Sequence, residues 1–169
     1  MVVRPAAETD AAAIAGIHGR GWRAAYRGLV PEPLLAGLSL ERRERGWREL
    51  IAAGRAPSLT LVGEVDGVVA GFCSVIAPTR DGGAPPWTAE VAAIYVEPVR
   101  WRGGVGGALL EHSLRDLAED GWRRATLWVL ERNDGAVAFY RRFGFAPDGA
   151  VKEDAALEAR EVRMVRALA

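Results

Sequence analysis

The chain has 169 residues, half of them apolar, which suits one domain, residues 1–169, around a full hydrophobic core. Its 22 basic and 22 acidic residues cancel and are interspersed, so charge gives no ground for a nucleic-acid or membrane-surface partner. A single cysteine excludes an internal disulfide. With an acidic N-terminus and no run near the ~20 apolar residues of a membrane span, a cytoplasmic protein is expected.

In chain order, Val2 to Arg4 reads as a short strand. Thr9 can cap a helix of about 15 residues ending near Tyr26, with Ile14, Ile17 and Ala24 facing inward. A second helical region follows Pro31, splits near Ser39 and ends before Gly54. SLTLVGEVD and GVVAGFCSVI flank Asp66-Gly67, a strong hairpin signal. Cys73 lies in the second of these apolar runs and is expected to be buried and inert. PTRDGGAPPW is a loop, and EVAAIYV is apolar on both pleat faces, as a central strand requires. After a run of glycines, Leu110, Leu114 and Leu117 form one helical stripe. ATLWVL is another buried strand. NDGAVAFYRRFG reads as a helix capped by Asn133 and stopped at Gly144, and EVRMVRAL as a last strand. The order is β-α-α-β-β-β-α-β-α-β-β.

Four of the five residues from Gly103 to Gly107 are glycine, at the point where a helix must begin. The first N–H groups of a helix lack internal partners and carry partial positive charge. A glycine turn lets an anion approach that backbone, which makes a phosphate site. The plainer alternative is a tight turn that packs helix on strand. Other phosphate loops fail on inspection. No Gly-Lys-Ser/Thr follows the glycines, and G-x-G-x-x-G started at Gly104 ends on Leu109.

YVEPVRWRGGVGGALL resembles the central motif of the GNAT superfamily of N-acetyltransferases: an apolar strand, Val-x-Pro, then Gln/Arg-x-x-Gly-x-Gly/Ala opening a helix. Trp101 stands at the Gln/Arg place and Gly104 and Gly106 at the glycine places, so the backbone contacts of the motif are kept while a polar contact from residue 101 is not. A second motif agrees, at Asn133, Ala136, Phe139, Tyr140, Gly144 and Phe145. The resemblance implies an α/β (α+β) acyl-CoA N-acyltransferase fold. That fold has a mixed, mostly antiparallel, twisted sheet of six to seven strands flanked by about four helices. It implies acetyl-CoA as cofactor without a metal, an amine acceptor that is a small molecule or a protein, and a homodimer. Coenzyme A would meet Ile94, Tyr95 and Val96 on the strand. It would also meet the turn of Trp101, Arg102, Gly103, Gly104, Val105, Gly106 and Gly107, and then Asn133, Ala136 and Tyr140. A non-catalytic acyl-CoA-binding sensor on the same fold is the competing class.

Acetyl transfer by direct attack, which the resemblance implies, assigns three roles. The Val96 N–H would polarise the thioester carbonyl. Tyr140 would protonate the departing thiolate; its other reading is a core tyrosine on the Ala136–Tyr140–Phe143 face. Glu90 would take the amine proton, for which burial must raise its pKa; otherwise it is a solvated strand-end glutamate, as Glu97 is expected to be. Trp22 and Tyr26, one helical turn apart, form either core or a wall of the acceptor pocket. His18 could face that pocket, and His112 is expected at the surface. Two histidines without matched ligands give no metal site.

Overall fold

The computed structural model describes residues 1–54 and 58–168. Seven strands form one sheet: β1 (Val2–Pro5), β2 (Leu59–Val65), β3 (Val68–Ile76), β4 (Thr88–Val96), β5 (Arg124–Leu130), β6 (Ala146–Asp154) and β7 (Ala159–Ala167). Their spatial order is β1-β2-β3-β4-β5-β7-β6. Every neighbouring pair is antiparallel except β4 and β5. Five helices flank the sheet: α1 (Ala11–Ala25), α2 (Glu32–Ala36), α3 (Leu40–Ala53), α4 (Val105–Glu119) and α5 (Asp134–Arg142).

Local chemistry sets several boundaries where the sequence places them. The Ser39 side chain accepts from the Arg42 N–H and starts α3, while Gly54 in a left-handed conformation ends it. Asp66 and Gly67 both take positive φ, as a tight hairpin between β2 and β3 requires. Thr9 does not cap α1. It lies inside a 3-10 turn, Glu8–Asp10, and the buried Asp10 accepts from the Ala7 N–H and pairs with Arg4 at 2.7 Å.

Two apolar layers cover the two sheet faces. Leu109, Leu110, Leu114 and Leu117 of α4 pack on Leu61, Cys73, Val91, Leu127 and Met164, with α5 beside them. Ile14 and Ile17 of α1 pack on Val62 and Phe72 from the other side. Cys73 is fully buried in the first layer, and burial pushes its thiol pKa up to about 12, so it is inert at neutral pH.

The one parallel pairing is short. Thr88, Ala89 and Glu90 of β4 face Arg124, Ala125 and Thr126 of β5, and there it stops. On its other edge β4 stays paired to β3 through Val96, with an irregularity that leaves Ala92 unpaired between Val91 and Ala93. An extra residue of this kind bends the strand that carries it. From there to Val96, β4 has no strand on its β5 side.

Candidate active site

The unpaired half of β4 faces a cleft. The Glu97 N–H donates to Ala70 O on the β3 side at 2.8 Å. Backbone direction alternates along a strand, so the N–H groups of Val96 and Ile94 turn the other way, into the space β5 has left. The Val96 carbonyl accepts from the Trp101 indole N–H at 2.8 Å. Trp101 therefore ties the turn to the strand end. That is the local reason for an aromatic donor where the family motif has a polar side chain.

Beyond the strand, Pro98–Arg100 makes a 3-10 turn, and Arg102 and Gly104 both take positive φ. Gly104 is the residue before α4, at φ 85°, a conformation that glycine takes without strain. Alternation of left-handed residues turns successive N–H groups to one side, the arrangement of an anion nest. Among the described residues, the N–H groups of Gly104, Val105, Gly106 and Gly107 have no hydrogen-bond partner. Four donors thus converge at the positive end of a 15-residue helix. A Cβ on Gly106 would stand 3.4 Å from Val96 Cγ2 and 3.6 Å from Phe139 Cζ, in the gap between the end of β4 and α5.

α5 forms the second wall. Asn133 caps it by accepting from the Ala136 N–H at 3.2 Å. One turn later Tyr140 packs half-buried beside the first core layer. Burial, then the nearness of Tyr26 and Cys73, raises its pKa well above the ordinary phenol value. Tyr26 and Tyr95 sit on the opposite sheet face and share a hydrogen bond at 2.8 Å between their hydroxyls. Tyr140 also contributes to the raised pKa of Tyr95. Tyr26 and Tyr95 meet through their hydroxyls, and Tyr140 lies near enough for its charge to be felt there.

Trp22 and Tyr26 pack as the core reading expects. Their rings are 5.1 Å apart, and they pack on Val30, Leu35 and Leu130 beneath α2. His18 lies among the rings of Trp22, Trp47, Phe72 and Tyr95 and accepts from the Trp47 indole at 3.2 Å. Burial, then the Arg43 charge, pulls its pKa down to about 3, so it is neutral and too weak a base for neutral pH.

Glu90 does not fit the part of a base. Its side chain is almost wholly buried, and burial by itself pushes the carboxyl upward. Against that, Arg80 pairs with it through its guanidinium and its backbone N–H, and the Thr79 hydroxyl donates to it at 3.2 Å. Together these partners hold the pKa below the usual carboxylate value. Glu90 anchors the 78–87 loop over the closed end of β4. Glu97 is not freely solvated either: Arg20 grips it in a bidentate pair at 2.7–3.0 Å. His112 remains at the surface of α4, beside Arg115. Among the described residues no cluster of side chains could hold a metal ion.

With this geometry in hand, the comparisons are consistent. The family model described as "Acetyltransferase (GNAT) family" matches residues 22–145. An uncharacterized N-acetyltransferase, YuaI of Bacillus subtilis (strain 168), is 29% identical over 145 residues, 85% of this chain and 79% of its own length. In fold, the PaiA N-acetyltransferase of Thermoplasma acidophilum in complex with coenzyme A superposes with a TM-score of 0.82 at 18% identity, over 98% of each chain. YncA of Salmonella typhimurium, a putative acetyltransferase with its cofactor acetyl-CoA, gives 0.75 at 21% identity, over 100% of this chain and 94% of its own. The chain belongs to the GNAT family of acetyltransferases.

Proposed function

We propose that this protein binds acetyl-CoA in the cleft between β4 and β5 and passes the acetyl group to a primary amine by direct attack in a ternary complex. The observation that carries this is two sets of unpaired backbone donors, on the free edge of β4 at Ile94 and Val96 and at Gly104–Gly107 at the start of α4. The pyrophosphate sits on the four N–H groups at the start of α4. Charge-assisted bonds of this kind are worth roughly 1.5–3 kcal/mol each. The pantetheine arm runs along Ile94, Tyr95 and Val96, with Asn133 and Ala136 across from it. Relatives in fold that hold coenzyme A or acetyl-CoA support this reading.

The amine nitrogen attacks the thioester carbon, and the carbonyl oxygen takes the negative charge. The Val96 N–H donates to that oxygen, in the direction left free by the missing strand. The new C–N bond remains, the C–S bond breaks, and the sulfur takes a proton from Tyr140. Its burial keeps Tyr140 protonated, so it is available as an acid and not as a base. The proton lost by the amine goes to water, and water returns a proton to Tyr140, so the cycle closes. Glu90 is paired and His18 is a weak base, so neither takes it. The products are the acetamide and free coenzyme A. No described helix is long and apolar enough to cross a membrane, and the cytoplasmic setting suggested by the lone cysteine belongs to this same proposal.

The test is thiol release from acetyl-CoA across a library of amines, with the mass of each product measured. A product heavier by one acetyl group supports transfer. Tight acetyl-CoA binding with no product from any amine would make this a sensor instead.

A further inference from the structure

Arg43, near the start of α3, is a half-buried guanidinium that has no counterion among the described residues. Its Nη1 lies 2.9 and 3.1 Å from the two ring nitrogens of His18, and its Cζ stands 4.7 Å from the centre of the Trp22 ring. The charges that reach it belong to Tyr95, Arg23 and Tyr26, and none of these is a carboxylate. Other part-buried arginines meet an oxygen acceptor: Arg163 pairs with Asp81 and Asp148, Arg4 with Asp10 and Glu64, and Arg166 donates to the Phe143 carbonyl at 2.7 Å. Removing a cation from water without a charged partner is unfavourable, and a neutral imidazole and an indole face return only part of the loss. A second arginine, Arg23, stands near enough to make this worse.

Arg43 and Arg23 also line a groove of about 80 Å³ between α1 and α3, with Gly16, Gly19 and Arg20 on its walls. Arg20 is already held by Glu97. The groove is open and has room for a group of carboxylate size. It is joined to the tyrosine cluster by single rings. The His18 ring under Arg43 is 4.7 Å from that of Tyr95, and the Trp22 ring it covers is 5.1 Å from that of Tyr26.

We propose that Arg43, with Arg23 beside it, is the anion-binding subsite for the acceptor, and that the acceptor is a small amine carrying a carboxylate. This rests on the acetyl-transfer reading above. The planar guanidinium takes the carboxylate through two parallel N–H bonds. The amine end then lies toward Tyr26 and Tyr95 and the thioester, and a cationic polyamine is repelled.

The experiment compares ω-amino acids, whose chains are long enough to carry the amine past one aromatic ring, with the matching amides as acceptors, in thiol release with product mass. The wild type prefers the acid by at least about tenfold in kcat/KM, mostly in KM. Arg43→Gln brings the ratio near one, and Arg43→Lys restores part of it. A wild-type ratio near one, a ratio that survives Arg43→Gln, or turnover confined to amines without a carboxylate overturns the proposal. Unfolding of Arg43→Gln is expected at or above the wild-type temperature, because an unmatched charge has been removed. A marked fall makes Arg43 a packing residue and also overturns it. Binding is read apart from turnover: arginine Nε resonances of the coenzyme A-saturated protein are followed during titration with sodium acetate at fixed ionic strength. A saturable shift at Arg43, absent with chloride, supports the subsite, and a linear drift contradicts it. A saturable shift in a protein that acetylates no amine removes the acetyl-transfer reading and with it the acceptor role, while the anion site stands.

Discussion

The two ends of β4 have opposite chemistry. At Thr88–Glu90 the strand is paired to β5, with Glu90 paired to β3 as well, and its one charge is answered by Arg80, Thr79 and a backbone N–H. At Ile94–Val96 the strand has a partner on one edge only, and its free donors are joined by a second set, the unpaired N–H groups at the start of α4. At the closed end the carboxylate is answered from within and the strand edge toward β5 is taken, which leaves the buried Thr88 hydroxyl as the one side-chain group there without a partner among the described residues. At the open end, fixed dipoles need no reorganisation when an anion or an oxyanion arrives. A polar group's role follows from whether the fold already satisfies it. That criterion is why the proposed roles divide here, with Glu90 as an anchor of its loop and Val96 and the glycine turn as the proposed cofactor contacts.

This contrast can be broken by substitution. The largest effect is expected at the open end, from Tyr140→Phe, which keeps the ring and its packing and removes only the hydroxyl. Single-turnover acetyl transfer should slow by roughly 10²–10⁴-fold, with acetyl-CoA affinity near wild type. A water that replaces the hydroxyl puts the loss at the low end of that range. A wild-type rate would return Tyr140 to the core. Next is Gly106→Val. Its side chain would enter the gap bounded by Val96 and Phe139, and calorimetry should show acetyl-CoA bound at least about tenfold more weakly.

At the closed end the effects should fall on stability and leave the chemistry alone. Glu90→Gln should keep kcat/KM near wild type, and the acidic limb of its pH profile should persist. That limb should instead move with the pKa of the acceptor when one amine is exchanged for another. Folded Glu90 has a pKa below its ordinary value near 4.5. Its stabilising contribution is therefore present above about that pH and is lost as the pH falls through the folded value. Acid unfolding of Glu90→Gln should lack this component. The smallest effect is expected from Asn133→Ala, which removes the α5 cap. Thermal unfolding should register about 1 kcal/mol, with Tyr140 chemistry changed little.

Much of this was legible because the relevant signals are local. Ser39, Asp66-Gly67, Asn133 and the glycine run act within a few residues of themselves, so spacing and residue type suffice to place them. What was missed depends on partners chosen by the fold. Nothing about Glu90 says that an arginine ten residues back in a Gly/Pro loop will close over it. The Tyr26–Tyr95 bond joins residues 69 apart in sequence. Trp101 looks like a loss of a polar contact until its indole is seen on the Val96 carbonyl. The parting of β4 from β5 has no sequence pattern of its own, because EVAAIYV reads the same with one neighbour or two. Thr9 is a good cap by type, but Asp10 takes the position before α1 and turns its carboxylate back to Arg4 and the Ala7 N–H, so no side chain caps that helix.

The central claim is that the unpaired N–H groups of Val96 and Gly104–Gly107 receive the cofactor. Amide hydrogen exchange followed residue by residue, without and with saturating acetyl-CoA, tests it directly. These amides should exchange fast in the free protein and become the most strongly protected on binding, while those of Thr88–Glu90 are slow in both states. Protection that appears elsewhere and leaves Val96 and the glycine turn unchanged would contradict the account.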